Sequence, residues 1–517
     1  MHSEIILRRL ASLILIAILI AANGRGSVRA AGETITIGTI EPLTTLDPAD
    51  AGDVFSWEVL THLYTGLTRQ IPGTLHYELA LAATHTVSAD GLTHTFTLRP
   101  DAAFDDGTPI TAQTFADSIT RVMKLGGQAS SAVTPYIKAV SADESGALIL
   151  TLNVPVPYLE QLLALPPYFP VHPPTFTATA LNDTPAQFVG NGIYKLGTFE
   201  PGKSITLVAS PAWKGQPPAT PTITIRHYDY PADLRRALTA HEVDLAWRGL
   251  PYDEAGLATQ TAGIHQTTAP GLQTFYLLIE QQKPYNALAA RQGLLYLLDR
   301  DYLTKTSLHG TAAPLYALLP PELASSATPT YPKLDRNQAA ALLQKAGYST
   351  YLTIESELQS SRAIYGDLML RGLSQITDDL TRSRIYRVSP VDTEIQTFYD
   401  QIERGTFRLA LVGWTPIVPH PDAILRPLLY SKGQLAAGAQ YHNPTVDQVL
   451  DQAALTTDPA TQADLYNQVQ TLAAQDVVAI PLWQINQPLV SWESVSGIVI
   501  EPNYLLHYDT LVNHPSN

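Results

Sequence analysis

The chain has 517 residues, with 32 Lys and Arg against 47 Asp and Glu, and no cysteine. The missing cysteine excludes disulfides, thiol catalysis, cysteine-ligated metals and a lipid-modified cysteine anchor. The net charge of −15 makes nucleic acid a poor partner, because phosphate binding needs basic clusters; its plainest reading is solubility.

Residues 1–30 read as a secretory signal. Arg8 and Arg9 form a short basic start, Leu10 to Ala22 is an apolar run of 13 residues, and Val28-Arg29-Ala30 suits a cleavage site. A spanning helix needs about 20 apolar residues, so the run is short for a membrane anchor, and an uncleaved anchor is the alternative. Without residues 1–30 the chain keeps 28 basic and 46 acidic side chains, a net charge near −18. The mature protein is therefore expected outside the cytoplasm, periplasmic or secreted. Its length exceeds one ordinary domain and predicts two or more lobes. The 39 prolines and 31 glycines are dispersed, which favours lobes tied by several crossings over a single linker.

Taken in order, Ile35, Ile37 and Thr39 begin a strand, and Leu46-Asp47-Pro48 turns it. Trp57 to Leu67 reads as a helix with Val59, Leu60, Leu63 and Tyr64 inward. Thr95 to Leu98 alternates as a strand and runs into the turn Asp105-Asp106-Gly107. Thr111 is placed to cap a helix that buries Phe115, Ile119 and Val122. The acidic turn lacks the alternating oxygen ligands of a calcium loop. Leu148 to Leu152 is another strand. Gly190-Asn191-Gly192 predicts a tight turn, and without a third glycine and a following helix it is not a dinucleotide loop. Further on come a strand over Ile205 to Val208, a helix over Leu234 to Glu242, and a strand over Thr274 to Ile279. Then follow a helix from Ala290, a helix over Thr461 to Asp476, and strands at Val478 to Leu482 and Ile498 to Ile500.

One stretch carries more than local structure. Leu98 to Asp117, LRPDAAFDDGTPITAQTFAD, resembles a hallmark of the bacterial extracellular solute-binding proteins of the dipeptide/oligopeptide/nickel family. Other blocks match in the same order: Leu46-Asp47-Pro48, Leu63 to Leu67, Gly190 to Leu196, Val243-Asp244-Leu245, Ala290 to Arg300, Phe407 to Trp414 and Tyr441 to Pro444. The resemblance implies an α/β fold: a two-lobed periplasmic-binding-protein type II fold, with an extra subdomain inserted in the first lobe. The expected division is a signal at 1–30, first lobe at 31–57, inserted subdomain at 58–185, first lobe again at 186–270, second lobe at 271–479 and a return to the first lobe at 480–517. Two crossings near Pro270-Gly271 and Ile480-Pro481 would form the hinge. The implied function is that of the extracytoplasmic component of an ABC importer. It captures a small or peptide-like solute by closing on it and presents it to a membrane permease driven by a cytoplasmic ATPase. No catalytic residue, cofactor or metal is implied, and a monomer is expected.

By the same resemblance the ligand-facing residues are Ser56, Trp57, Trp414, Thr415, Ile417, His420 and Tyr441. The loop after Trp414 departs from the family. Peptide-binding relatives commonly carry an Asp three residues past this Trp, and that carboxylate holds the peptide ammonium; a cation taken out of water needs an anion beside it. Here Ile417 stands in its place, so the ligand is expected to differ from an ordinary free-amine dipeptide. Asp422 replaces it only if the loop is rearranged. His420 amid prolines is a loop residue or a metal ligand. The rival readings are a secreted hydrolase and an extracytoplasmic sensor. The hydrolase lacks support: there is no G-x-S-x-G elbow, and His241-Glu242 is not followed by the second His of a zinc-protease helix.

Overall fold

The computed structural model describes residues 34–325 and 327–514. The signal expected at 1–30 lies outside the described residues. Among those described, no helix is long and apolar enough to cross a membrane.

One 11-stranded sheet runs through the molecule. Its order is Tyr386–Asp392, Ile354–Ser360, Leu409–Trp414, Ile264–Ile279, Ala479–Trp492, Leu245–Ala246, Thr34–Thr39, Thr222–His227, Ser204–Ala209 and Tyr194–Glu200, with Ala312–Pro314 added beside Ala479–Trp492. The two central strands are long and pair antiparallel over almost their whole length. They pass from one apolar core to another. Phe275 to Ile279 and Ala479 to Trp483 belong to a core built from residues 275–483, whereas Ile264, Leu489 and Val490 belong to cores built largely from the N-terminal half. The protein is thus two-lobed, with a shared ribbon between the lobes. The ladder is irregular between Pro270 and Thr274, which face Asn486 and Gln484. Ile480 and Pro481 pair with Leu277 and Tyr276, inside the second core.

Residues 68–152 add a small hairpin and a four-stranded sheet, ordered Ala82–Val87, Thr93–Leu98, Leu148–Leu152, Ile137–Ala142. Phe96, Phe115 and Leu150 share one continuous core with Ile35 and Ile37 of the first lobe. A buried ion pair joins the two parts: Arg121 donates to both carboxylate oxygens of Asp47, at 2.7 and 2.6 Å. Asp47 also accepts from the backbone of Ala49 and Asn182, so its charge is fully satisfied.

Several local expectations hold and several shift. Thr111 caps Ala112–Leu125 in a reciprocal box with Thr114, and Phe115, Ile119 and Val122 are buried. The helix expected at Trp57 to Leu67 is Val54–Leu63 instead, because Asp53 accepts from the Ser56 N–H at 2.7 Å and caps it earlier. Gly190 and Gly192 keep ordinary φ values; their role is close approach, since a Cβ on either would lie 2.2–2.3 Å from the Leu63 and His62 carbonyls. The helix expected at Leu234 to Glu242 is Pro231–Thr239, and His241 beyond it takes φ +58° and stacks on Trp492 at 4.3 Å. Ile498 to Ile500 does not form a strand of the large sheet; Ile500 makes a single bridge to Leu506, folding the chain into a loop over residues 500–506.

Candidate functional site

The parallel strands Thr34–Thr39, Thr222–His227 and Leu245–Ala246 end on one side of the first lobe. Ligands of open α/β sheets gather at such carboxyl ends. The turns that follow carry Glu41 and Arg248. In the second lobe, Leu409–Trp414 runs toward the joint and ends with Trp414 paired to Thr274. The two sets of ends meet at the irregular part of the ribbon. There Gln273 donates from its side chain to Thr415 Oγ1 at 3.2 Å, and from its backbone to the Tyr504 hydroxyl at 3.2 Å. Tyr504 comes from the first lobe's C-terminal loop and Thr415 from the second lobe, so one residue of the ribbon touches both. Gln484 on the other strand is buried and donates to the Gly271 carbonyl and to Glu322, both at 2.8 Å.

Beneath Tyr504 lies a buried polar network centred on Glu58. Its Oε2 accepts from Trp247 Nε1 at 3.0 Å, Arg248 at 3.1 Å and the Leu506 N–H at 2.9 Å, and its Oε1 accepts from the Tyr508 hydroxyl at 2.5 Å. Arg248 also donates to the Tyr504 carbonyl. The network joins the helix Val54–Leu63, the turn after Leu245–Ala246 and the C-terminal loop. Only NH1 of Arg248 reaches outward, lying 3.6 Å from half-exposed Glu41. Partial burial pushes the Glu41 carboxyl above its ordinary range; Arg248 opposes this, and the Glu58 and Asp53 charges add to it.

The residues singled out in sequence are only partly brought together. Trp414, Thr415 and Ile417 reach the joint. Trp414 is half-buried and donates from Nε1 to the Ala423 carbonyl at 2.8 Å. Thr415 is exposed. Ile417 packs against the first-lobe core, and Val418 is fully buried in it. Ser56 is fully buried and donates to Asp53 at 2.7 Å, and Trp57 donates to the Ala51 carbonyl at 2.7 Å; both serve the start of their helix. His420 is enclosed between the rings of Tyr158 and Tyr466, at 5.3 and 5.8 Å, and its Nδ1 accepts from the Asp422 N–H at 3.2 Å. Burial pushes its pKa down to about 4, so the ring is neutral. Tyr441 lies elsewhere, buried and donating to Asp476 at 2.7 Å. Asp422 is buried and spent on Arg426, whose Nε lies 2.8 Å away.

A family of known proteins fits this architecture. The model for "Bacterial extracellular solute-binding proteins, family 5 Middle" matches residues 76–435. The chain belongs to the family 5 bacterial extracellular solute-binding proteins. It is similar to the glutathione-binding protein GsiB of Escherichia coli O6:K15:H31, with 25% identity over 497 residues, 95% of this chain and 96% of GsiB. Among solved structures it resembles the periplasmic murein tripeptide binding protein MppA in its unliganded open form. The TM-score is 0.83 at 21% identity, over 95% of this chain and 99% of the other. It also resembles the binding protein DppA from Helicobacter pylori in complex with the peptide STSA, with a TM-score of 0.70 at 19% identity, over 94% and 99%.

In this family 5 protein the joint offers hydrogen-bonding groups, an indole and carboxylates. The described residues hold one group with metal-ligand spacing, His62, His507 and Asp509. Its histidine nitrogens are all engaged. His62 contacts the Glu58 carbonyl through Nδ1 at 2.7 Å, and its Nε2 accepts from the Tyr508 N–H at 2.9 Å. His507 lies between Glu501 at 2.9 Å and Asp509 at 3.3 Å, and those carboxylates outweigh burial and raise its pKa to about 9. The set is a charge-assisted hydrogen-bond cluster. Sequence reasoning missed Arg248, Gln273, Glu322, Gln484 and Tyr504; no local pattern marks them.

Proposed function

We propose that this protein captures a peptide-like solute between its two lobes and delivers it to an ABC permease with its cytoplasmic ATPase. The observation that carries the reading is the ribbon of two long strands whose pairing loosens at Pro270–Thr274, with hydrogen bonds from Gln273 to both lobes. The division into segments expected from sequence serves as the working description of the lobes, with the pivot at residues 270–274 and 484–486. A solute touching Thr415 on one side and the Glu41 and Tyr504 region on the other is bound best when the lobes approach, so it shifts an open–closed equilibrium. Micromolar capture needs about 8 kcal/mol. Residues 1–30 would direct export and be removed, and the absent cysteine leaves no lipid tether.

Ile417 packs on the first lobe, and neither His420 nor Asp422 offers a free charge, so the solute is not held as a free-amine dipeptide by the segment after Trp414. Calorimetric titration with synthetic di- and tripeptides, together with small-angle scattering with and without the tightest of them, tests the reading. Compaction on binding is expected. Absence of both binding and compaction for every peptide sinks it.

A further inference from the structure

A cationic solute group needs an anion, and the usual place for one is vacant of charge at Ile417. The joint contains another. Glu322 follows Ala312–Pro314 of the second lobe and is partly buried. Its Oε2 accepts from Gln484 at 2.8 Å. Gln484 is only 2% exposed, and its amide nitrogen is also tied to the Gly271 carbonyl, so the carboxylate is oriented by a fixed group of the ribbon. Among the described residues no basic side chain forms an ion pair with Glu322. The guanidinium of Arg248 is engaged by Glu58, the Tyr504 carbonyl and, through NH1, Glu41. Across the joint stands Tyr504 of the first lobe, whose phenol is raised first by burial and in part by the Glu322 charge.

We propose that Glu322 is the residue that receives a positively charged group of the solute, so that the cleft selects an ammonium- or guanidinium-bearing, peptide-like ligand. This rests on the proposed capture of a solute between the lobes. A partly buried carboxylate lacking a cation gains more from an incoming ammonium than an exposed one does, because the charge-assisted bond forms with less competition from water. Its position also gives the selection a mechanical consequence. A cation at Glu322 lies beside Gln484 on the ribbon and faces Tyr504 of the opposite lobe, so its binding favours approach of the lobes.

The test uses the mature protein, with Glu322→Gln and Glu322→Asp, titrated with a pool of synthetic tripeptides bearing free amino termini and with the same pool N-acetylated. Glu322→Gln keeps an oxygen for Gln484 and removes only the charge. The wild type is expected to bind the free-amine pool at least tenfold more tightly than the acetylated one. Glu322→Gln should bind both alike with an unchanged melting temperature, and Glu322→Asp should keep part of the preference. A wild type that binds both pools equally, or a preference that survives Glu322→Gln, overturns the assignment to Glu322 while leaving solute capture standing. Failure of the wild type to bind either pool overturns the peptide reading itself and the assignment with it.

Discussion

A Cβ placed on Gly271 would lie 1.8 Å from Cε1 of the Tyr504 ring. The hydroxyl end of the ring lies against Gly271 where the pairing of the ribbon is irregular, and the Tyr504 hydroxyl accepts from the Gln273 N–H. Gly271→Ala must push the ring away, breaking that bond and disturbing the Arg248 contact to the Tyr504 carbonyl. Overpacking of this kind costs about 1–3 kcal/mol. The expected outcome is a lower melting temperature together with at least tenfold weaker solute binding, read by calorimetry. Full affinity in Gly271→Ala would show that the placement of Tyr504 does not matter for solute binding.

The Glu58 network carries a larger stake. Glu58 and Arg248 are both buried, and Glu58 accepts from Trp247, Arg248, Leu506 and Tyr508. Removing one member leaves a buried charge and several donors unpaired. Breaking a buried pair costs about 3–5 kcal/mol. Glu58→Ala is therefore expected to lower the unfolding free energy, read by urea titration, by that amount, and Glu58→Gln by less, since it retains one acceptor. The double variant Glu58→Gln with Arg248→Met should recover part of the loss, because no charge then remains buried alone. Additive losses in the double variant would argue against direct coupling.

Much of this fold was legible because its signals are local. The cap at Thr111, the buried face of Phe115, Ile119 and Val122, and the strand Leu148–Leu152 follow from spacing over a few residues. The order of motifs placed the chain in a two-lobed fold, and the same order pointed to Trp414 and Thr415. Other features depend on distant partners. Asp47 in its Leu-Asp-Pro turn gave no hint of Arg121, 74 positions away. The strand expected to begin at Thr274 reaches back to Ile264, because a long partner strand holds residues 264–273 extended. Glu322, Gln484 and Tyr504 belong to separate segments that meet only through tertiary packing, so no periodicity could mark them.

Stability should fall toward both acid and alkaline pH, through two histidines of opposite behaviour. His507, with a folded pKa of about 9 against an ordinary value near 6.5, is stabilised as a cation by Glu501 and Asp509. Its contribution is complete below about pH 6.5 and is lost as pH rises through 9. His420, buried and neutral with a pKa of about 4, contributes fully above about pH 6.5 and loses that contribution as pH falls through 4. Each limb should amount to about 1–3 kcal/mol. Urea unfolding at pH 4.5, 6.5 and 9.5 (about these values) checks this, with His507→Gln expected to flatten the alkaline limb and leave the acid one. An unchanged alkaline limb in that variant would exclude His507 as its source.

Ile417→Asp offers the sharpest contrast with Glu322, since it restores a carboxylate three residues past Trp414. In this chain the position packs against the first-lobe core and is followed by fully buried Val418. An Asp there loses apolar contact and gains no described basic partner, at a cost of about 1–3 kcal/mol. The variant should melt at a lower temperature than the wild type. Its affinity for free-amine tripeptides should not rise, because the carboxylate would stand among the apolar side chains of the first-lobe core. Calorimetry with free-amine and N-acetylated tripeptides reads both points at once. A stable Ile417→Asp protein that gained tenfold in free-amine affinity would place the ammonium position after Trp414, and Glu322 would then be a structural partner of Gln484 alone.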